Sequence, residues 1–291
     1  MLATLLVLLA APPGFAAAPP PATATVVSKP DADTFIAAWP DAAGVKQSMI
    51  AAFPSGALSP TGVLHFEEPA LMAVLGERLQ AWATETRPGS VVVVNGTTVT
   101  LKTPPTSTAD AESENAATSA ERARLHAALL VENHLGIVGP GILQYDHARM
   151  AGESAAALAP LVKALGPTTD VRAFAARALA FVQSLPVEEL ARDTFSPPLV
   201  VLGEQHGNCD EKATLYAALV RAAAPTLPVA VLTMRAHAIV GLGLPAGVGD
   251  RTVTVGGTAW VVADVAGPTL HELGRLSAKS DLQQLTVKVV P

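Results

Sequence analysis

The sequence has a single cysteine, few aromatic residues and few charged residues. One cysteine in 291 residues excludes an internal disulfide. Charged residues make up only 15 % of the chain, its net charge is −6, and no basic cluster is present, so we expect no nucleic acid as a partner. Half of the residues are hydrophobic, which excludes a disordered chain and suffices for one large or two modest domains.

The apolar run at the N-terminus is too short to span a bilayer. It covers Leu2 to Ala11, is broken by Pro12-Pro13-Gly14 and is followed by small residues, a pattern typical of a signal peptide, which we place at residues 1–24. We therefore expect a periplasmic or secreted protein without stable membrane insertion after cleavage, and an uncleaved apolar tail is the alternative. Residues 19–33 are rich in Pro, Ala and Thr and predict a flexible segment.

The lone cysteine, Cys209, lies where a loop turns into a helix. Asn208 suits the N-cap, Asp210 and Glu211 suit the positive end of the helix dipole, and the helical pattern runs to Pro225. Because a helix N-terminus stabilises a thiolate, Cys209 is placed for reactivity. The alternative is that a lone cysteine is a small buried apolar residue.

Two later segments predict strands that carry further polar groups. Val229–Leu242 consists of two short β-branched runs around His237, and Thr252–Asp264 has the pattern of a Gly-Gly hairpin that ends in a carboxylate. A cysteine-bearing helix packed on these strands can bring Cys209, His237 and Asp264 together. Taken singly, His237 would more often be a core histidine and Asp264 a turn-capping residue.

In order and spacing, Gly207-Asn208-Cys209, His237 and Asp264 resemble the signature of the transglutaminase-like superfamily, over about residues 170–270. The resemblance implies an α+β, papain-like fold in which the cysteine helix packs on an antiparallel sheet. It also implies thiol chemistry on amide bonds, with Cys209 as nucleophile, His237 as acid and base, and Asp264 orienting the imidazole. The Cys209 N–H and either Gln205 or His206 are the candidate oxyanion donors.

Three functions are compatible with this resemblance. With water as acceptor the protein is a peptidase or amidase, which we expect, and with a lysine amine it is a cross-linking transglutaminase. A catalytically idle module for protein interaction is the third. The expected partner is a protein or peptide substrate, and no cofactor is expected. His206 and Cys209 are spaced to share a metal, but no second close pair of ligands follows, so no metal site is expected either.

The remaining patterns predict how the chain is organised. A hairpin at Ser90–Leu101 marks a small α/β N-terminal region, residues 25–112, and the exposed segment Lys102–Glu114 separates it from a transglutaminase-like domain at 113–291. The second region begins with a helix over Ala117–Leu135 and closes with a strand over Leu285–Val290.

Individual positions in these segments carry their own expectations. The helix over Ala117–Leu135 is expected to bury Leu125, Leu129 and Val131 and to end at Gly136. Tyr145-Asp146-His147 is expected in a loop, as a surface or helix-capping cluster or as a substrate contact.

Overall fold

The computed structural model of the protein describes residues 22–104, 108–139, 142–188, 193–234, 237–267, 269–277, 282 and 285–291. The signal peptide predicted at residues 1–24 lies outside the described residues except for its last three. The assignment of residues 25–112 and 113–291 to separate domains stays a prediction.

The described helices are numbered in chain order. They are α1 (Glu68–Thr86), α2 (Thr108–Glu132), α3 (His147–Ala155), α4 (Ala159–Leu165), α5 (Val171–Ser184), α6 (Pro198–Glu204) and α7 (Cys209–Ala223). Short 3-10 turns occupy Pro60–Gly62 and Ala156–Leu158. None of these helices combines the length and apolar character needed to cross a membrane.

The described strands form one five-stranded sheet, one three-stranded sheet and three smaller pairs. The first nine strands are β1 (Thr23–Ser28), β2 (Ala32–Pro40), β3 (Lys46–Pro54), β4 (Leu64–His65), β5 (Val91–Asn95), β6 (Thr98–Lys102), β7 (Leu135–Gly139), β8 (Ile142–Tyr145) and β9 (Thr194–Phe195). The last five are β10 (Val229–Met234), β11 (His237–Leu242), β12 (Thr252–Val255), β13 (Thr258–Ala263) and β14 (Thr286–Val289). The protein is therefore a mixed α+β molecule, as expected.

The five-stranded sheet is antiparallel and has the order β12-β13-β11-β10-β14. The predicted Gly-Gly hairpin is confirmed between β12 and β13, where Gly256 and Gly257 both have positive φ, as a tight hairpin turn requires. The predicted closing strand is also confirmed, since β14 pairs with β10 at the sheet edge.

Helix α7 packs on this sheet and is buried along most of its length. Its residues from Glu211 to Val220 are buried, and it contacts β10 and β11 on one side and α3 and α5 on others. The opposite face of the sheet is apolar too, with Ile239, Trp260 and Val262 in a separate cluster. Apolar side chains therefore cover both faces of the sheet.

The N-terminal strands share the core of α7. Strands β1, β2 and β3 form an antiparallel sheet, and Phe35 and Trp39 of β2 make edge contacts with Phe181 of α5. The prediction of a flexible segment over residues 19–33 is therefore wrong from Thr23 onward, where β1 begins. Alternating burial on β2 supplies enough apolar contact to order residues whose composition alone indicated a linker.

A second core lies between α1, α2 and the β5–β6 hairpin, which is present as predicted. Leu125 and Leu129 of α2 are buried as expected, whereas Val131 is 59 % exposed and Leu130 takes its place in the core. The helix ends at Glu132 rather than Gly136, because His134 adopts the left-handed conformation. It also begins at Thr108, so the exposed segment predicted at Lys102–Glu114 is already helical in its second half.

The Tyr145-Asp146-His147 cluster is not a loop. Tyr145 ends β8, Asp146 caps α3 by accepting the Arg149 N–H at 3.4 Å, and His147 is the first residue of that helix. Tyr145 and His147 are buried and make tilted ring contacts with Phe195, whereas Asp146 is partly exposed. The helix-capping interpretation is thus correct for Asp146.

Candidate active site

The N-terminus of α7 is fixed by a reciprocal capping box. Asn208 Oδ1 accepts the N–H groups of Asp210 and Glu211 at 2.9 and 3.0 Å, and Glu211 Oε2 accepts the Asn208 N–H at 2.8 Å. The second oxygen of Glu211 accepts the Ser196 N–H at 2.6 Å. Burial raises the pKa of Glu211, against these backbone hydrogen bonds, which lower it. The box uses the N–H groups on either side of Cys209 and leaves that of Cys209 itself outside its bonds.

His237 and Asp264 meet at one end of the five-stranded sheet. His237 begins β11 and Asp264 directly follows β13, and because the two strands are antiparallel neighbours, these ends coincide. His237 Nε2 lies 3.0 Å from Asp264 Oδ1, and the two side chains are only 9 % and 1 % exposed. This contact orients the imidazole and leaves Nδ1 as the nitrogen available to a further partner.

That further partner is Cys209. Burial of the ring disfavours the imidazolium, but the hydrogen bonds to Asp264 and to Cys209 outweigh it and raise the pKa of His237 to about 9. The histidine is therefore positively charged at neutral pH. Cys209 itself is partly exposed, so its sulfur lies between this positive charge and the solvent.

The Asp264 carboxylate is held in place by main-chain donors. Its Oδ2 accepts the Ser277 N–H at 2.9 Å, and its Oδ1 accepts the Ala266 N–H at 3.4 Å. Burial favours the neutral acid, but the hydrogen bonds from His237 and Ser277 dominate, so the pKa of Asp264 lies well below its ordinary value. The carboxylate is thus negatively charged and oriented toward the ring.

The two residues suggested as oxyanion donors lie between α6 and α7. Gln205 ends α6 in the left-handed conformation with φ 64°, and His206 Nε2 lies 3.2 Å from Glu188 Oε2. Their assignment as oxyanion donors stays a prediction. No set of three His, Cys, Asp or Glu side chains within the described residues is arranged to hold a metal ion.

Sequence reasoning missed the residues that support the loop that begins at Asp264, directly after β13, which we call the Asp264 loop. Ser277 lies 13 residues after Asp264 in a stretch without regular structure. Gln183 of α5 donates to the Asp264 carbonyl, and Lys212 of α7 donates to the Ala266 carbonyl. A buried lysine one helical turn after the cysteine is visible in the sequence only as a break in the apolar face of α7.

Comparison of the chain with protein-family models, with curated proteins and with solved structures finds no match.

Proposed function

We propose that the protein is an exported, transglutaminase-like thiol enzyme that attacks amide bonds of a protein or peptide substrate. The observation that carries the proposal is the convergence of Cys209, His237 and Asp264 at the junction of α7 with the five-stranded sheet. The arrangement of a cysteine-bearing helix on an antiparallel sheet supports a papain-like core of the transglutaminase type. Outside the cytoplasm a thiol without a disulfide partner is unusual, which adds weight to a chemical role for Cys209.

In the proposed first half-reaction, the Cys209 thiolate attacks the carbonyl carbon of the amide. The negative charge that develops on the carbonyl oxygen is stabilised by the Cys209 N–H, which points along the positive end of the helix dipole. The His237 imidazolium then transfers its proton to the departing nitrogen. The C–N bond breaks, an amine leaves, and a thioester joins the acyl group to Cys209.

In the second half-reaction a nucleophile releases the acyl group. Neutral His237 accepts a proton from the attacking water, the C–S bond breaks, and the thiolate–imidazolium pair is restored. Because Cys209 is partly exposed, water can reach the thioester, and we propose hydrolysis. A primary amine in place of water would yield a new amide, the cross-linking alternative.

The first test needs no knowledge of the substrate. Cys209 is alkylated with iodoacetamide between pH 5 and 10, in the mature protein, in His237→Ala and in the urea-unfolded chain, and mass spectrometry locates the adduct. We expect the folded protein at pH 6 to react at least tenfold faster than the unfolded chain, and His237→Ala to lose this advantage. Slow labelling that is indifferent to His237, or that occurs only on unfolding, would overturn the proposal.

The second test determines the acceptor. Casein is incubated with the protein, with and without a fluorescent primary amine, and Cys209→Ala is the matched control. New peptide termini that depend on Cys209 indicate hydrolysis, and incorporation of the amine indicates a transglutaminase. Fast labelling of Cys209 with neither product on a broad peptide library would favour the idle interaction module instead.

A further inference from the structure

Lys212 is a fully buried lysine close to the proposed catalytic group. It lies three residues after Cys209 on α7, and residues three apart share one side of a helix. Lysine is almost never fully buried without a specific arrangement of partners. None of the steps proposed above uses it.

The Lys212 ammonium is enclosed by three carbonyl oxygens. Its Nζ donates to Ala266 at 2.7 Å, to Leu185 at 2.8 Å and to Gln183 at 3.3 Å. An ammonium has three N–H donors and no acceptor, so this set matches it completely. Two of the carbonyls lie at the C-terminal end of α5, and the third lies in the loop that follows Asp264. Lys212 therefore connects the cysteine-bearing helix with the aspartate-bearing loop.

Gln183 makes a second connection to the same loop. Its Nε2 donates to the carbonyls of Asp264 and, at 3.1 Å, of His271, and its Oε1 accepts the His271 N–H at 3.2 Å. The loop comes this close because Gly267 has φ 68° and no side chain, and a Cβ there would overlap the Gln183 carbonyl. Asp264 is thus held from both its carboxylate side and its main-chain side.

Electrostatics links the lysine to the same two residues. Burial lowers the pKa of Lys212 to about 7, and the negative charges of Cys209 and Asp264 act in the opposite direction. A methionine of similar length would fill this space without removing a charge from water, so the burial of an ammonium here is unfavourable for folding. Departures of this kind from local rules are expected at functional sites.

We propose that Lys212, assisted by Gln183, is a positioning residue that holds the Asp264 loop against α7 and thereby keeps Asp264 within hydrogen-bond distance of His237. The inference rests on the proposed function, because it explains how the Cys-His-Asp geometry is maintained.

The test measures the pairing of His237 directly rather than turnover. Histidine carbon-13 NMR follows the titration of His237 in the wild type, in Lys212→Met and in Leu215→Ala, and iodoacetamide labelling at pH 6 is measured in parallel. Leu215 is a fully buried core residue of the same helix and serves as the control for lost stability. We expect Lys212→Met to move the pKa of His237 from about 9 toward the ordinary 6.5 and to slow labelling at least tenfold. Leu215→Ala is expected to lower the Tm and to leave both readouts unchanged.

If Lys212 served only the stability of the fold, its replacement would change the Tm and leave His237 unaffected. If Lys212→Met lowers the Tm as Leu215→Ala does but leaves the His237 titration and the labelling rate unchanged, the inference is wrong. Should Lys212→Met not fold, Gln183→Met is measured in its place. A reduced pKa of His237 in that variant supports the inference, and an unchanged pKa overturns it.

Asp264→Asn in the same experiment separates the two proposals. If it lowers the pKa of His237 while Lys212→Met does not, the triad stands and the positioning role fails. If His237 of the wild type already titrates near 6.5 and Cys209 labels slowly, the proposed function itself fails.

Discussion

His237 Nε2 and Asp264 Oδ1 lie 3.0 Å apart, although 27 residues separate them in the chain. The contact exists because β11 and β13 are antiparallel neighbours whose ends meet. It gives the imidazole a fixed orientation, with one nitrogen facing a carboxylate and the other available to the thiol.

Replacing Asp264 by Asn should disable this orientation while preserving the shape of the site. The amide can present an N–H to the ring, which favours the wrong tautomer and removes the negative charge that stabilises the imidazolium. We expect any turnover found to fall on the order of 10²–10⁴-fold, and the rate of Cys209 alkylation at pH 6 to fall toward that of a free thiol. Circular dichroism should show an unchanged fold, and equal labelling rates in variant and wild type would contradict the prediction.

The raised pKa of His237 predicts a pH-dependent contribution to stability. Between about 6.5, the pKa in the unfolded chain, and about 9 in the folded protein, the folded state binds more protons, so the free energy of unfolding falls as pH rises. The contribution of His237 is complete below pH 6.5 and is lost as pH passes about 9. We expect a loss on the order of 1–2 kcal/mol.

Urea denaturation of the wild type and of His237→Gln at pH 6, 7.5 and 9.5 measures this loss. The comparison is needed because Lys212, whose pKa is lowered to about 7, contributes with the opposite sign as pH rises above that value. The stability difference between the two proteins should shrink from pH 6 to 9.5. A difference that is constant over this range would contradict the raised pKa.

Asn208 should be replaceable by aspartate but not by alanine. Its side-chain oxygen accepts two N–H groups at the start of α7, and loss of such a cap costs about 1 kcal/mol. Asn208→Ala should therefore lower the free energy of unfolding by about this amount. Asn208→Asp keeps the acceptor and should remain within about 0.5 kcal/mol of the wild type. Equal stability of the two variants would indicate that the capping box does not fix this helix end.

Gly267 should tolerate a methyl group much less well than Gly256. Both have positive φ, but only at Gly267 does a Cβ meet backbone, the Gln183 carbonyl, whereas Gly256 has open space around it. We expect Gly256→Ala to cost about 1 kcal/mol, the price of the backbone conformation alone, and Gly267→Ala to cost about 2–4 kcal/mol. Thermal denaturation measures both. Similar losses of Tm in the two variants would show that the loop can move away from α5.

The sequence was most informative where local pattern and tertiary position coincide. Helix α7, its Asn208 cap and the Gly256-Gly257 turn follow from short-range rules, and the strands that carry His237 and Asp264 follow from β-branched runs. The order of the three polar residues along the chain then predicts their convergence.

The sequence-based predictions fail where the burial of a residue depends on partners that are distant in the chain. Leu130 and Val131 are both apolar and adjacent, and only Leu130 joins the second core, which is built from residues distant in the chain. Strand β1 has the composition of a linker, and its order depends on pairing with β2. Lys212 interrupts the apolar face of α7 in the sequence, and the loop that covers it comes more than 50 residues later.

The burial of Lys212 also gives the protein an internal reporter of its integrity. Acylating reagents such as acetic anhydride or succinimidyl esters modify lysine amines that solvent reaches, and they should leave this amine unmodified while α5, α7 and the Asp264 loop remain together. Mass spectrometry of the peptide that contains both Cys209 and Lys212 would then read thiol reactivity and amine protection from one fragment. Preparations whose site has opened could be recognised by acylation of a single residue, before any substrate is known.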